Sequence, residues 1–278
     1  MKKIAIVIPC YQESRSIKKN VEIVKTYLKS KNSYIFDVVL VNDGSKDNTL
    51  EIINSIDGIR IVTYDVNQGK GHAVKDGLKY AVDVSNSDYY IFMDADLSTH
   101  LPAIDECLPI LESGVDLVLA SRYDKESRVP IKQPLKRRFI SKCARILIKM
   151  MFNFKGIKDT QCGFKSMNKD TVKLIISKAK MERFSFDVEY IYIAILNKLS
   201  MTELGITWSD DRGSTVSPFK SSIKFFKDLG FIKRHRKQYY FNPEDAKNYH
   251  PVWPSVLAVF LLVVTIVALV LFLIFKQK

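Results

Sequence analysis

Two carboxylates separated by one residue stand at the end of an apolar run, in the stretch YYIFMDADLSTH of residues 89–100. The run before Asp94 and Asp96 has the length and composition of a buried strand. Two like charges this close repel each other unless a cation lies between them. Mg²⁺ and Mn²⁺ favour hard oxygen ligands and carry phosphates, so the pair predicts a metal site that holds a nucleotide diphosphate. The alternative is a helix N-cap or an Asx turn.

Polar side chains also follow the other predicted strands. The apolar runs predict strands at 4–9, 36–42, 59–64, 89–94 and 115–121, with helices near 15–31, 47–56, 70–83 and 101–112. This alternation predicts an α/β fold with a mostly parallel, Rossmann-like sheet and helices on both faces. Ligands of such sheets bind beyond the carboxyl ends of the strands. The polar side chains at these ends are Tyr11, Glu13, Asn42, Asp43, Lys70, Asp94, Asp96, Ser121 and Arg122.

The segment NQGKGHA follows the third predicted strand. Its glycines, Gly69 and Gly71, allow a ligand to approach the backbone closely, and Lys70 can face a phosphate. Lys70 and Gly71 are therefore candidate donor-binding residues, although an ordinary turn into a helix is the alternative. The segment is not the GxGxxG pattern, which argues against a dinucleotide site.

The whole chain has 278 residues, of which 47% are hydrophobic, and a net charge of +13. This length suits one α/β domain with an appendage. Four scattered cysteines without metal-type spacing predict reduced thiols in a chain that shows no signal peptide. We expect a catalytic domain at 1–216, a basic amphipathic helix and connector at 217–251, and a transmembrane helix at 252–275.

The stretch 256–275, VLAVFLLVVTIVALVLFLIF, contains no charge, proline or glycine. Twenty helical residues span about 30 Å, the hydrocarbon thickness of a bilayer. Tyr249 and Trp253 precede the stretch as an interfacial belt, and Lys276 and Lys278 follow it. The pattern predicts a single-pass membrane protein, and a buried core helix is the alternative.

The basic residues cluster near this span. Residues 131–158 contain no acid, and within them basic and apolar stripes follow helical spacing. The basic stripe is Arg138, Lys142, Arg145 and Lys149, and the apolar one is Phe139, Cys143, Leu147 and Met150. The stretch 217–237 repeats this pattern, which predicts two amphipathic helices on an anionic membrane surface. Solvated helix faces are the alternative, and nucleic acid is excluded because no stripe of base-stacking aromatic residues accompanies the charge.

Eight segments in order, VIPCYQE, VNDGSKDNT, NQGKGHAVKDGL, DADLS, ASR, DTQCGFK, FDVEY and DRGS, resemble the family 2 inverting glycosyltransferases of GT-A fold. Within that family they resemble the dolichyl- or polyprenyl-phosphate sugar synthases, especially the glucosyl type. The resemblance covers roughly residues 3–216, and this ordered set of motifs is highly specific.

The resemblance implies a role for each matching residue. Pro9, Tyr11, Glu13 and Asp43 would hold the nucleoside. Asp94, Ala95 and Asp96 match the DxD motif, with Asp96 on Mg²⁺ or Mn²⁺. Arg122, Arg137 and Ser141 match positions that meet the acceptor phosphate, and Arg212 matches a position near the diphosphate. Arg137 and Ser141 are four residues apart, so one helix face presents both.

Two positions depart from the family pattern. The mannosyl enzymes often have Gln as a metal contact two residues after the DxD motif. Ser98 stands there in this chain, as the candidate third metal residue, and favours the glucosyl type. Thr215 stands where a lysine near the diphosphate often follows the GS of the last motif.

The implied activity is inverting transfer of a hexose, foremost glucose from UDP-glucose, to a polyprenyl or dolichyl phosphate. A GDP-mannose-dependent enzyme and transfer to a sugar hydroxyl of a polysaccharide are the alternatives. The latter would need a carboxylate base, for which Asp187 and Glu189 are candidates unless they only cap a helix. A non-catalytic nucleotide-binding adaptor is a further alternative, disfavoured by the presence of the acids and arginines.

The catalytic domain is expected on the cytoplasmic face, of the plasma membrane in a bacterium or of the endoplasmic reticulum in a eukaryote. A flippase or a downstream glycosyltransferase is a candidate partner.

Overall fold

The computed structural model describes residues 1–131, 135–152, 154–209 and 218–246. Its seven strands are β1 (Lys2–Cys10), β2 (Tyr34–Asn42), β3 (Arg60–Thr63), β4 (Tyr89–Met93), β5 (Leu117–Ser121), β6 (Phe164–Asn168) and β7 (Met201–Gly205). Its eight α-helices are α1 (Ile17–Lys29), α2 (Thr49–Asn54), α3 (Lys70–Ser85), α4 (Pro102–Glu112), α5 (Leu135–Phe152), α6 (Lys169–Lys178), α7 (Phe186–Leu196) and α8 (Pro218–Arg234). Two 3₁₀-helices, Arg236–Tyr239 and Pro243–Ala246, follow α8.

The seven strands form one sheet in the order β3-β2-β1-β4-β6-β5-β7. Strands β1 to β4 are parallel to one another where they pair, and β7 is parallel to β5. Strand β6 is antiparallel to both of its neighbours, β4 and β5. The predicted α/β fold with a mostly parallel sheet is confirmed, and its five predicted strands agree with β1 to β5 to within a few residues.

The sheet lies between two apolar layers because successive side chains of a buried strand point to opposite faces. In β1, Ala5 and Val7 join the layer built from α3, α6 and α7. Ile4, Ile6 and Ile8 join the opposite layer, built mainly from α1 and α4. Both faces are covered, so ligands can reach the sheet only at the ends and edges of its strands.

Helix α5 packs part of its predicted apolar stripe into the core instead of leaving it for a membrane surface. Leu147 of that stripe is buried together with Ile148 and Phe152, whereas Met150 of the same stripe is 39% exposed. The buried set lies against α8 and the α7 layer, so the tertiary contacts of the helix decide which apolar residues turn inward.

Within the described residues, no helix is both long enough and apolar enough to cross a bilayer. The predicted transmembrane stretch 252–275 lies outside those residues, as do Arg212 and Thr215.

Candidate active site

The predicted site residues gather at the carboxyl ends of the parallel strands. Asp94 directly follows β4, Asp43 follows β2, and Arg122 follows β5. Because β1 pairs with both β2 and β4, the loop that begins at Tyr11 lies between the ends that carry Asp43 and Asp94. The cleft is thus lined by three or more strand ends, as the sequence predicts for a nucleotide-binding sheet.

The Asp94 carboxylate faces the amino end of α3. Its Oδ1 lies 2.5 Å from Lys70 Nζ, and both side chains are about one-quarter exposed. Burial opposes the charge of Lys70, but the carboxylates of Asp94, Asp187 and Asp96 outweigh it and raise the pKa of Lys70. Lys70 therefore stays charged beside the DxD motif, where it can meet a phosphate.

Asp96 closes a tight turn. Its Oδ1 accepts a hydrogen bond of 2.9 Å from the Ser98 backbone N–H, and Leu97 between them has φ +55°. Burial raises the pKa of Asp96, and the Asp94 charge raises it further, while hydrogen bonds from Ser98 oppose the shift. An Asx turn, one of the two alternatives to a metal site, is therefore present at Asp96, whereas the N-cap alternative is wrong because the N-cap of α4 is Leu101.

The backbone of the DxD motif is held from both sides. Asn20 Nδ2, on α1, donates to the Ala95 carbonyl oxygen at 2.8 Å. On the other side, the Ser209 N–H donates to the Ser98 carbonyl oxygen at 2.9 Å, and Thr99 forms a β-bridge with Trp208. The spacing of the two acids is therefore fixed by contacts with α1 and with the segment that follows β7.

Asp43 organises the glycine segment. Its carboxylate accepts hydrogen bonds from the backbone N–H groups of Gln68 and Gly69, at 2.7 and 2.9 Å, and from Asn67 Nδ2 at 2.8 Å. Asp43 is 3% exposed. Asp43 could therefore contact a nucleoside only together with the loop that it holds. That loop also positions Gly71 and Lys70.

The loop after β1 is joined to the loop after β2. The Gln12 and Glu13 backbone N–H groups donate to Ser45 Oγ and Thr49 Oγ1, at 3.0 and 2.9 Å. Pro9 is buried within β1, Tyr11 is 41% exposed, and Glu13 Oε2 accepts a hydrogen bond from Ser16 Oγ. The structure thus brings the predicted nucleoside residues to one edge of the cleft, with the Tyr11 ring open to a ligand.

Arg122 forms a bidentate pair with Asp159. Its Nε and Nη2 donate to the two carboxylate oxygens at 2.7 and 2.9 Å, and its backbone N–H donates to Oδ2 at 2.9 Å. The guanidinium also lies over the rings of Trp208 and Tyr123, 5.3 and 5.6 Å from their centroids. Arg122 is thereby held rigidly at the end of β5, and part of its donor set is already used.

The other predicted acceptor residues lie on α5. Ser141 is partly exposed one turn before Arg145, whose guanidinium carbon lies 3.5 Å from the centroid of the Tyr123 ring. Arg137 occupies the preceding turn of the same helix, and its side chain lies outside the described part of the chain. The contact to Tyr123 brings this face of α5 to the loop that carries Arg122.

The two candidate bases are buried, and each already has partners within the protein. Asp187 pairs with Lys165, which is 1% exposed. Glu189 accepts hydrogen bonds from the backbone N–H groups of Lys180 and Met181 and from Tyr239 Oη, at 2.8, 2.9 and 2.7 Å. Burial raises the pKa of both carboxyls. Neither is the N-cap of α7, which is Ser185, and the two carboxyl-bearing residues are only 4% and 0% exposed.

The segment 159–165, DTQCGFK, connects these groups, and sequence reasoning gave it no role beyond a motif. Asp159 holds Arg122, and Lys165 holds Asp187. A Cβ at Gly163 would overlap the Asp94 carboxylate, so any larger residue there would have to displace that carboxylate. Its place among the ordered motifs indicated that the segment has a function. Only the fold shows that its side chains bind Arg122 and Asp187.

The donor set suits a hard divalent cation that is completed by phosphate. Among the described residues, no group of three or more His, Cys, Asp and Glu side chains is placed to hold a metal. Asp94 and Asp96 remain, with Ser98 hydrogen-bonded to Asp96. Mg²⁺ typically binds one or two carboxylates and takes its other ligands from substrate phosphates and water, so these residues fit it. The space that Gly163 leaves beside Asp94 keeps that carboxylate at the cleft.

Comparison with known sequences matches this site to one family. The profile of the family described as glycosyl transferase family 2 matches residues 5–175. The dolichyl-phosphate beta-glucosyltransferase of Homo sapiens is 28% identical over 251 residues, covering 84% of this chain and 75% of its own. The Saccharomyces cerevisiae enzyme of the same name is 28% identical over 250 residues, covering 83% and 74%.

Comparison with solved structures matches the fold. The glucosyl-3-phosphoglycerate synthase of Mycobacterium tuberculosis, crystallised with Mn²⁺, UDP-glucose and phosphoglyceric acid, superposes with a TM-score of 0.63 at 14% identity. The match covers 87% of this chain and 81% of that one. The same enzyme with Mg²⁺ and UDP gives a TM-score of 0.61 at 16% identity, over 84% and 79% of the two chains. The architecture is therefore that of the GT-A-like glycosyltransferases.

Proposed function

Because the chain belongs to glycosyl transferase family 2, we propose that it transfers glucose from UDP-glucose to a polyprenyl or dolichyl phosphate with inversion at the anomeric carbon. One observation supports this most directly. The Asp94–Asp96 pair and the fixed Arg122 guanidinium lie at the carboxyl ends of β4 and β5, on either side of β6, and are joined through Thr99 and Trp208, so a donor and an anionic acceptor can meet between them. The relatives named dolichyl-phosphate beta-glucosyltransferase support the choice of sugar and acceptor.

The donor half of the site binds the nucleoside and the diphosphate. Tyr11, Glu13 and Asp43 hold the nucleoside, with Asp43 also fixing the glycine segment. Lys70 lies where it can leave Asp94 for a phosphate oxygen. A bound Mg²⁺ or Mn²⁺, held by Asp94 and Asp96, would neutralise the charge that develops on the departing diphosphate.

The acceptor half needs no general base. A phosphate monoester is already an anion, so its oxygen can attack the anomeric carbon directly as the carbon–oxygen bond to the diphosphate breaks. The burial of Asp187 and Glu189 supports this, because a hydroxyl acceptor would require an accessible carboxylate. Arg122 orients the phosphate and partly neutralises it.

The acceptor's phosphate lies at the level of lipid headgroups, so the enzyme must work at a membrane. We propose a single-pass protein, anchored by 252–275, whose catalytic domain lies on the cytoplasmic face. Exposed lysines and apolar side chains on α5 and α8 support this location, among them Lys142, Ile146, Lys149, Met150, Lys227 and Phe231.

Transfer of a labelled sugar to lipid tests the proposal. The full chain in membranes is incubated with short-chain polyprenyl phosphate and one of several radiolabelled nucleotide sugars, including UDP-glucose and GDP-mannose, and the lipid is extracted. We expect label from UDP-glucose, its loss in EDTA, and its return with Mg²⁺ or Mn²⁺. Asp96→Asn should abolish transfer while the melting temperature is kept.

Three results would overturn parts of the proposal. Label from GDP-mannose alone would assign the mannosyl reaction. Label in polysaccharide but not in lipid would assign a hydroxyl acceptor. Full transfer in EDTA would remove the metal from the mechanism.

A further inference from the structure

Arg145 is a cation in the cleft for which the proposed reaction has so far given no use. Its guanidinium carbon lies 3.5 Å from the centroid of the Tyr123 ring, so the group lies close against that ring. Its Nε is buried and has no hydrogen-bond partner. Because the ring occupies one side of the guanidinium, its N–H donors point outward in the plane of the group, the geometry that suits a phosphate.

Among the described residues, Arg145 has no carboxylate partner for its charge. Two other basic residues near the end of β5 are paired, Arg122 with Asp159 and Lys158 with Asp124. No described carboxylate lies within ion-pair distance of Arg145. Within the part of the chain that the structure describes, the positive charge of Arg145 is therefore uncompensated.

Its place in the fold connects Arg145 to Arg122. Tyr123 directly follows Arg122 and its ring contacts both guanidinium groups, at 5.6 Å and 3.5 Å from the centroid. On α5, Ser141 lies one turn before Arg145 and on the same side of the helix. The predicted basic stripe treated Arg145 as a membrane contact, but the residue is turned toward the strand end instead.

We infer that Arg145 binds the phosphate of the acceptor together with Arg122, and that Tyr123 holds the two arginines at a fixed separation. The inference rests on the proposed function and deepens it. A phosphate monoester compensates this charge and accepts hydrogen bonds from the guanidinium group, whereas a neutral sugar hydroxyl compensates no charge. Arg145 is therefore a determinant of specificity for an anionic acceptor.

The kinetic test compares Arg145→Gln with Lys29→Gln, a change of the same charge at an exposed position of α1, on the opposite face of the sheet. Loss of a charge-assisted hydrogen bond should lower kcat/KM for a short-chain polyprenyl phosphate by about ten- to a hundredfold. The KM for the nucleotide sugar should stay within about twofold. Arg145→Lys should recover only part of the activity, because lysine keeps the charge but not the planar donors. Equal effects of Arg145→Gln and Lys29→Gln on kcat/KM, or an equal rise in both KM values, would overturn the inference.

A binding measurement separates this inference from the proposed function. The chain has two tryptophans, so in a Trp253→Phe background the fluorescence of Trp208, which lies 5.3 Å from the Arg122 guanidinium, reports on the phosphate site. Polyprenyl phosphate should quench or shift this emission, and Arg145→Gln should weaken the effect by a similar factor. Inorganic phosphate as competitor distinguishes a site for phosphate from one that needs the lipid chain.

The two failures then look different. Binding of polyprenyl phosphate that depends on Arg145, without any transfer, would overturn the proposed function and keep the inference. Transfer with unchanged affinity in Arg145→Gln would keep the function and reduce Arg145 to a packing residue. Absence of any binding to the unmodified protein would overturn both.

Discussion

At the scale of single residues, the cleft depends on positions where small changes in volume or hydrogen bonding act directly on a charged group. Gly163 is the clearest case, since it leaves room for the Asp94 carboxylate. Asp159 is another, because it accepts hydrogen bonds from both the side chain and the backbone of Arg122. Neither residue needs to contact substrate for its replacement to move a group that does.

Gly163→Ala should therefore impair transfer while the fold is kept. The added methyl group would push Asp94 away from Lys70 and out of line with Asp96, and a displacement of about 1 Å at a reacting centre costs roughly a hundredfold in rate. The measurement is kcat/KM for the nucleotide sugar together with a thermal melt. Gly230→Ala is the control, because a Cβ there meets nothing within 4 Å. Wild-type kcat/KM in Gly163→Ala would contradict the role assigned to this glycine.

At the scale of elements, short polar contacts hold the loops that the sheet leaves unsupported. Asp47 joins two of them: its carboxylate accepts from the Ser14 N–H and from the N–H and hydroxyl of Thr49 at the start of α2. Partial burial opposes ionisation, but these hydrogen bonds outweigh it and lower the pKa of Asp47 to about 2.

Asp47→Asn should make the protein less stable at neutral pH but not in acid. A folded-state pKa below the unfolded value of about 3.9 stabilises the fold above that value, and the contribution is lost as the pH falls toward 2. For this solvent-accessible group we expect about 1 kcal/mol at pH 7. Urea unfolding of both proteins between pH 7 and pH 3 measures the difference. A difference that grows on acidification would contradict the assignment.

A second contact of this kind fixes the segment after α8. Tyr239→Phe removes one of three donors to the buried Glu189 carboxylate and should cost about 1.5–3 kcal/mol of unfolding free energy. Tyr34→Phe is the matched control, because Tyr34 donates to Glu112 at the surface, where such a bond is worth little. An equal loss of unfolding free energy in the two variants would mean that the hydrogen bond from Tyr239 to Glu189 contributes no more than a surface one.

The elements were predictable where the signal is local, and their partners were not. Asp94, Asp43 and Arg122 were expected at strand ends because short apolar runs and turn residues mark those ends along the chain. The Arg122–Asp159 pair joins residues 37 positions apart, and no periodicity encodes it. Arg145 illustrates both cases, since helical spacing placed it correctly on α5, while its direction depends on Tyr123, which the sequence alone does not bring to it.

At the scale of the whole molecule, the faces of the domain differ in character. The α5–α8 side exposes basic side chains beside apolar ones, including Ile146, Met150 and Phe231 at 47%, 39% and 40% exposure. Helix α1, which packs on the opposite face of the sheet, also exposes lysines, at Lys18 and Lys29, but it carries an acid, Glu22, and a single large apolar side chain that is exposed, Ile23 at 42%. If the first side meets the membrane, as we propose, binding should depend on where the charge lies and not on its total.

A polypeptide that ends near Tyr249 should sediment with vesicles containing phosphatidylserine at low salt and be released at high salt. Each basic residue contributes about 1 kcal/mol near an anionic surface, so Lys149→Glu with Lys227→Glu should weaken the partition by at least about thirtyfold. Lys18→Glu with Lys29→Glu changes the net charge equally and should have a much smaller effect. Equal effects of the two pairs would indicate that only the overall field attracts the protein. Absence of vesicle binding at low salt would mean that only residues 252–275 attach the protein to the membrane.

The contact between Glu189 and Tyr239 also connects the site to the last described segment of the chain. The Glu189 carboxylate accepts hydrogen bonds from the backbone N–H groups of Lys180 and Met181. The backbone carbonyl oxygen of the next residue, Glu182, accepts a hydrogen bond of 3.0 Å from the His72 N–H, at the start of α3 and close to Lys70 in the chain. The Asn197 side chain holds the chain after Tyr239: its Nδ2 donates to the Tyr239 carbonyl oxygen, and its Oδ1 accepts from the Phe241 N–H. The site at the strand ends and the chain up to residue 246 are thus joined by a continuous series of hydrogen bonds. If residues 252–275 anchor the protein, as we propose, this series sets the distance between the start of the connector to that anchor and the loop that carries Lys70.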